Sequence, residues 1–188
     1  MANEFCTIAD VKALLGLSTN NAFDAVLTPL ITQVSEFIRT YLSRDIYPVT
    51  AYSKTLNGTG KTVMPLVNYP LVAVSSLLVD GVAIPAQPAV NQSGYVLDDN
   101  CIRLVGYCFN KGVMNVSVSY TANYAAIPDD IKRCCIEWTA VLFNERTRLG
   151  VAGKTIGNET ISYSVLSVPK AVKMILDQWK GVIPHVRG

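Results

Sequence analysis

Between Phe23 and Leu42 the apolar positions are Phe23, Val26, Leu27, Leu30, Ile31, Val34, Phe37, Ile38, Tyr41 and Leu42, spaced mostly by three and four. That spacing lays one continuous apolar stripe along an α-helix. Pro29 interrupts it, so the sequence predicts either a kink there or a restart with Thr28 as cap and Pro29 in the first position. Upstream, Thr7 and Asp10 have the spacing of a capping box and Gly16 provides a stop, which predicts a short helix over residues 8–15. The long element ends near Ser43, before Tyr47-Pro48.

From residue 49 to 124 the pattern changes. Turn signals recur at Asn57-Gly58, Asn68-Tyr69-Pro70, Asp80-Gly81, Gln92-Ser93-Gly94, Asp98-Asp99-Asn100 and Asn110-Lys111-Gly112, with short Val-, Leu- and Tyr-rich runs between them. In VMNVSVSYTANY, Met114, Val116, Val118 and Tyr120 alternate with Asn115, Ser117 and Ser119, the signature of a half-buried strand. The region predicts an antiparallel sheet of roughly five to seven short strands.

Helical spacing then returns. Ile127-Pro128-Asp129-Asp130 starts a helix, with two acids at the positive end of its dipole. It is expected to run through Ile131, Cys134, Cys135, Trp138, Val141 and Leu142 to about Arg148, with Gly150 as the stop. GVAGKTIGNETISYSVLS reads as a loop or hairpin, and a last helix runs from Val168-Pro169 through Val172, Ile175, Leu176 and Trp179. The predicted fold class is α+β: a bundle of about four helices, an inserted antiparallel β domain, and a β-hairpin loop before the last helix. The expected boundaries are 1–48 and 127–188 for the bundle and 49–126 for the β domain, with the hairpin loop at 150–167 and a tail at 181–188. The absence of alternating strand–helix units argues against a doubly wound sheet.

Composition narrows the function classes. The chain has 188 residues, 50% hydrophobic and only 16% charged, with a net charge of +2. Its mean hydropathy of +0.30 implies either a large core or apolar surface that partner chains cover. So small a net charge draws neither nucleic acid nor a membrane over long range. MANEFCTIADV lacks a basic region followed by an apolar run, and no apolar stretch reaches transmembrane length, so neither secretion nor a membrane partner is expected. Cys6, Cys101, Cys108, Cys134 and Cys135 are odd in number and irregularly spaced, and are read as reduced thiols of a cytosolic protein.

Chemical motifs are few. Residues 58–62 spell Gly-Thr-Gly-Lys-Thr, the end of a phosphate-binding loop. The first glycine of that motif is missing, because Thr55 stands there. Pro65 and Pro70 also forbid the helix whose N-terminal amides would hold the phosphates. The expectation is a β-hairpin turn at Asn57–Gly60 whose glycines supply positive φ. Gly153-Lys154-Thr155 fails in the same way. His185 is the only histidine and lies in the tail, which excludes multi-histidine metal sites and leaves a nucleophile without an oriented base. Cys101 and Cys108 do not have a zinc spacing, and the acid pairs Asp98/Asp99 and Asp129/Asp130 are accounted for by a turn and a helix start. No catalytic residue, cofactor or metal is expected, and the protein is read as not an enzyme. Lys132, Arg133, Arg146, Arg148 and Lys154 form the nearest thing to a basic cluster, but Glu137 and Glu145 are interspersed, as on a solvated helix face.

The order of pieces is the most informative feature. TIADVKALLGL is followed by FIRTYLSRDI, then LNGTGKTVMPLVNYPLVAVSSLLVDG, then VSVSYTANYAAIPDDIKRCCIEWTAVLFNER, and finally VPKAVKMILDQW. Over nearly the whole chain this resembles the head-tail connector (adaptor, head completion) proteins of tailed bacteriophages. Tyr120, Thr121, Ala122, Asn123, Tyr124, Ile127, Pro128, Asp130 and Ile131 match the family's start of the third long helix. Asn123 replaces a glycine there, and asparagine also tolerates a left-handed backbone.

The resemblance implies a structural virion protein, assembled in the host cytoplasm and residing in the neck. It implies a homo-oligomer, a twelve-fold ring, bound beneath the portal protein. The ring would extend the DNA channel, let DNA pass without sequence preference, and offer a platform to a stopper or tail-completion protein. By the same analogy the segment from Trp179 through Val182, Ile183, Pro184, His185, Val186 and Arg187 is the candidate portal contact. Arg146, Arg148, Lys154, Thr155 and Asn158, in and beside the loop at 150–163, are candidates for facing the channel or the next ring. The alternative is a small monomeric module that binds nucleic acid or protein.

Overall fold

The computed structural model describes residues 4–146, 153–156, 159–162 and 168–180. The described chain forms two compact units, one helical (residues 1–43 with 127–180) and one of strands (residues 44–126).

The helical unit contains α1 (Ile8–Leu15), α2 (Asp24–Leu42), α3 (Asp129–Glu145) and α4 (Lys170–Trp179). The predicted capping box is present. The Thr7 backbone N–H donates to Asp10 Oδ2 at 2.9 Å, and the Asp10 N–H donates to Thr7 Oγ1 at 3.2 Å. Gly16 ends α1 with φ +69°, and the next amide, on Leu17, donates to the Lys12 carbonyl at 2.9 Å.

α2 runs through Pro29 as one helix, so the expected restart at Thr28 does not occur. The reason is packing. Leu27, Ile31, Val34, Ile38 and Leu42 form a single buried ridge spanning both sides of the proline, which itself is exposed. The ridge is narrower than the sequence stripe, since Val26 and Phe37 remain 39% and 41% exposed. α3 is the central helix: α1, α2 and α4 all pack on it. It buries Ile131, Cys134, Cys135, Trp138 and Phe143 and is described to Glu145; the expected end near Arg148 lies outside the described residues.

The strand unit holds two sheets rather than the single sheet expected. One has the order β1 (Thr50–Gly58), β7 (Gly112–Ala122), β3 (Leu71–Val79), β4 (Val82–Ala83). The other has the order β2 (Val63–Pro65), β6 (Cys101–Val105), β5 (Gly94–Leu97). Every ladder is antiparallel. One core joins them: Leu77, Val79, Val116, Val118 and Tyr120 from the first sheet meet Met64, Ile102 and Leu104 from the second. The alternation in β7 holds from Val116 to Ala122, but Met114 is 64% exposed with φ +51°. The β1–β7 register slips between Leu56/Val116 and Gly58/Gly112, and this irregularity breaks the alternation before it reaches Met114. Asp80 (φ +52°) and Gly81 (φ +78°) form the two-residue turn between β3 and β4 that Asp-Gly dipeptides favour.

Beyond α3, β8 (Gly153–Ile156) and β9 (Glu159–Ser162) pair antiparallel, with Ile156 opposite Glu159, so this segment contains a hairpin.

Candidate functional site

The Gly-Thr-Gly-Lys-Thr segment is a crossing between sheets. β1 pairs with β7 and β2 with β6, so the expected hairpin between β1 and β2 does not exist. Gly60 has the predicted positive φ, +74°, whereas Gly58 is required for another reason. A Cβ on Gly58 would overlap the Asn110 carbonyl oxygen, and its N–H donates to Asn115 Oδ1 at 2.8 Å. Asn115 and Asn110 in turn donate to the two carboxylate oxygens of Asp80, at 2.8 and 2.6 Å. These hydrogen bonds hold the Asp80 carboxyl below its ordinary range, Asn115 contributing most. The cluster locks the loop and leaves no helix N-terminus for a phosphate.

The other chemical candidates are structural as well. Asp98 forms an exposed ion pair with Arg103 at 3.0 Å in the turn between β5 and β6. Among the described residues no group of His, Cys, Asp and Glu has the arrangement of a metal site. No described helix is long and apolar enough to cross a membrane. All five cysteines are free thiols.

Three basic residues of the expected cluster are tied to neighbours. Lys132 pairs with Asp10 of α1 at 2.9 Å, and Arg133 with Glu137 one turn on at 2.7 Å. The Arg146 guanidinium lies 3.5 Å from the Phe143 ring centroid and 5.2 Å from that of Phe23, and donates to the Phe143 carbonyl. The expected channel residues Arg148 and Asn158 lie outside the described residues. Lys154 and Thr155 are strand residues of β8.

Trp179 closes α4 and is half-buried. The helix is fixed where the expected docking tail departs. Val172 and Leu176 are buried, the Tyr41 hydroxyl of α2 donates to Asp177 Oδ1, and Lys180 Nζ stands 5.1 Å from the Tyr41 ring centroid. Tyr41 stacks on Phe37 at 6.1 Å, and Phe37 meets Trp138 edge-on at 4.7 Å. The hydrogen bond to Asp177 pushes the Tyr41 hydroxyl above its ordinary pKa. The remaining tail residues, Val182, Ile183, Pro184, His185, Val186 and Arg187, lie outside the described residues.

Two features had no sequence signal. An open groove of about 430 Å³ runs between α1 and α3, lined by Asp10, Leu14, Asp129, Lys132, Arg133, Ile136 and Glu137. A buried pair of thiols, Cys6 and Cys135, joins the segment before α1 to α3. Neither is readable from spacing, because the partners come from distant stretches of chain.

The sequence pattern of one family, described as "Head completion protein", matches residues 4–182. Among curated proteins none matches this chain. Solved structures with a chain of similar fold include three particle structures. The first is the neck of an empty GTA particle computed with C6 symmetry, with TM-score 0.57, 16% identity, and coverage of 93% of this chain and 88% of that one. The second is the neck of a native GTA particle computed with C12 symmetry, with TM-score 0.54, 16% identity, and coverage of 97% and 96%. The third is the virion of a native gene transfer agent (GTA) particle, with TM-score 0.57, 17% identity, and coverage of 93% and 88%.

Proposed function

The chain belongs to the head completion protein family, and from that premise we propose that it is a structural part of a virion neck. It forms a closed ring of identical copies beneath the portal, extends the channel through which DNA passes, and offers a platform to a stopper or tail-completion protein. Its role is to bind and to hold, without turnover of a substrate. The observation that carries this reading is that its fold, over nearly its full length, recurs in a neck computed with C12 symmetry, so a ring of twelve copies is the stoichiometry proposed.

Two contacts follow from the reading. The segment from Trp179 through residues 182–187 docks onto the portal, and α4, which leads into it, is held to Tyr41 of α2 by Asp177 and Lys180. Arg146, Arg148 and the hairpin carrying Lys154, Thr155 and Asn158 face the channel or the next ring. Both suit a short, apolar, low-charge chain whose exposed groups are covered in an assembly.

The test is sedimentation of the protein alone and mixed with the portal ring of the same genome. Saturation at one copy per portal subunit is the expected result, and truncation after Lys180 is expected to abolish it. A chain that never joins the portal, and instead binds DNA with strong salt dependence, would replace this reading with that of a monomeric nucleic-acid-binding module.

A further inference from the structure

A ring of identical copies needs two different, complementary faces on each copy, one meeting the next copy and the other the previous one. The helical unit carries two such faces. Lys132 and Cys134 of α3 are two residues apart, about 200° around the helix. Lys132 meets Asp10 of α1 at 2.9 Å, whereas the Cys134 thiol lies 4.0 Å from the Val172 carbonyl of α4. α1 and α4 therefore pack on opposite sides of α3.

On the α1 side lies the groove of about 430 Å³. Its apolar floor is Leu14, 56% exposed, with half-buried Ile136. Its charges are three acids and two bases. Asp10 and Glu137 neutralise Lys132 and Arg133, and Asp129 adds one more negative charge. On the α4 side, Val172 and Leu176 point inward, and Met174 points outward at 68% exposure, the highest of any large apolar side chain on the four helices. Exposed Lys170 lies one turn before Met174 and exposed Lys173 beside it, while exposed Asp177, which accepts the Tyr41 hydroxyl hydrogen bond, follows three residues on. With Asp177 counted, the Met174 face carries one surplus positive charge, and its flexible thioether matches an apolar cleft bordered by one surplus negative charge.

We infer that the ring closes through a heterologous contact in which Met174 of one copy, with Lys170 and Lys173 on the same helix, seats in the α1–α3 groove of the next copy over Leu14 and Ile136. This inference rests on the ring proposed above and names its subunit contact.

The experiment places cysteines at the two exposed positions, L14C and M174C, in a chain whose exposed native thiol is removed by Cys108→Ser. Rings are assembled on the portal, their mass is checked by sedimentation, and they are treated with a short bismaleimide. The double variant is expected to give a ladder of covalent oligomers extending to the full ring. A mixture of the two single variants is expected to stop at dimers, and each single variant alone to give none. Rings of correct mass whose double variant yields no ladder would overturn the contact and leave the ring intact. Dimers from either single variant alone would overturn it too, because they would mean a self-complementary contact. Failure of the native chain to assemble on the portal at all would overturn both the ring and the contact. Met174→Glu in the otherwise native chain is expected to reduce portal-bound copies at least tenfold without changing the circular dichroism of the monomer.

Discussion

The Cys6 sulfur lies 3.3 Å from the Cys135 sulfur, a contact between residues 129 positions apart that fastens the start of the chain to the central helix. Ser35 of α2 completes the site, its hydroxyl accepting from the Phe5 amide at 3.1 Å and lying 3.6 Å from the Cys135 sulfur. The hydrogen bond to Cys135 and burial push the Cys6 thiol up, and burial raises Cys134 to about 11 and Cys101 above its ordinary value. The thiolate is the reactive form, so Cys6, Cys101 and Cys134 are protected both by access and by ionisation, whereas Cys135, which the Cys6 hydrogen bond shifts down, is protected by burial alone. Cys108 is exposed. A chromogenic disulfide reagent at pH 8 should therefore modify one thiol of the native protein quickly and the other four only at the rate of unfolding. Cys108→Ser should remove the fast phase, and a fast phase that survives it would mean the buried pair opens readily.

Asn123 departs from the glycine that the family resemblance leads one to expect, and its site shows why it is tolerated. Its φ is +86°, and its side-chain amide donates to the Pro48 carbonyl at 3.0 Å and to the Tyr52 hydroxyl at 2.7 Å. Asn123→Gly relieves the backbone and loses both bonds in a buried place, so a loss of about 1–2 kcal/mol is expected. Asn123→Ala loses the same bonds and adds the left-handed cost of about 1–2 kcal/mol. Urea midpoints should fall in the order Asn, Gly, Ala. An alanine variant as stable as the glycine variant would show that the backbone conformation relaxes.

The two glycines of Gly-Thr-Gly-Lys-Thr should respond differently. Gly58→Ala drives a methyl into the Asn110 carbonyl, which cannot move without breaking the Asp80 cluster, and more than about 3 kcal/mol should be lost. Gly60→Ala meets nothing nearer than 3.9 Å and should cost only the positive-φ strain of about 1–2 kcal/mol. Lys61→Ala should leave thermal stability and portal binding unchanged. A loss of ATP binding in that variant, read by calorimetry, would revive the phosphate-loop reading.

Asp10 gives the acid limb of stability a specific source. Lys132 first, then the Thr7 hydroxyl and amide, hold its carboxyl at about 2, well below the usual carboxylate range. Because the folded pKa lies below the unfolded one, the contribution is complete above about pH 4 and is lost as pH falls towards 2. Asp10→Asn should remove that part of the acid dependence and cost roughly 0.5–1 kcal/mol near neutrality through the weakened capping box. Urea midpoints of both chains from pH 2 to 7 should converge at the acid end. Parallel curves would assign the acid limb to other carboxylates.

Much of the fold class was legible because its signals are local. The Thr7–Asp10 box, the Gly16 stop, the Asp80-Gly81 turn and the inward alternation from Val116 to Ala122 each need only a few neighbouring residues, and each stands where the spacing put it. The third-helix start from Ile127 to Asp130 is likewise a local dipole and proline effect. The order of these pieces was enough to suggest the family, and the match over residues 4–182 shows it.

What the sequence left open depends on partners far apart in the chain. Pro29 read as either a kink or a restart because local propensity disfavours it, yet a buried ridge on both sides carries one helix through. Asn57–Gly60 read as a hairpin because the turn residues are right, yet strand pairing is a global choice, and β7 captured β1 while β6 captured β2. The α1–α3 groove, the Cys6–Cys135 contact and the outward Met174 exist only once helices separated by a hundred or more residues pack together. Sequence alone determined which elements form and, through their order, to which family they belong, since turns, caps and periodicity are set by nearest neighbours. The tertiary structure decided which strands pair and which apolar side chains remain uncovered, since those are settled by competition among distant surfaces for the same core.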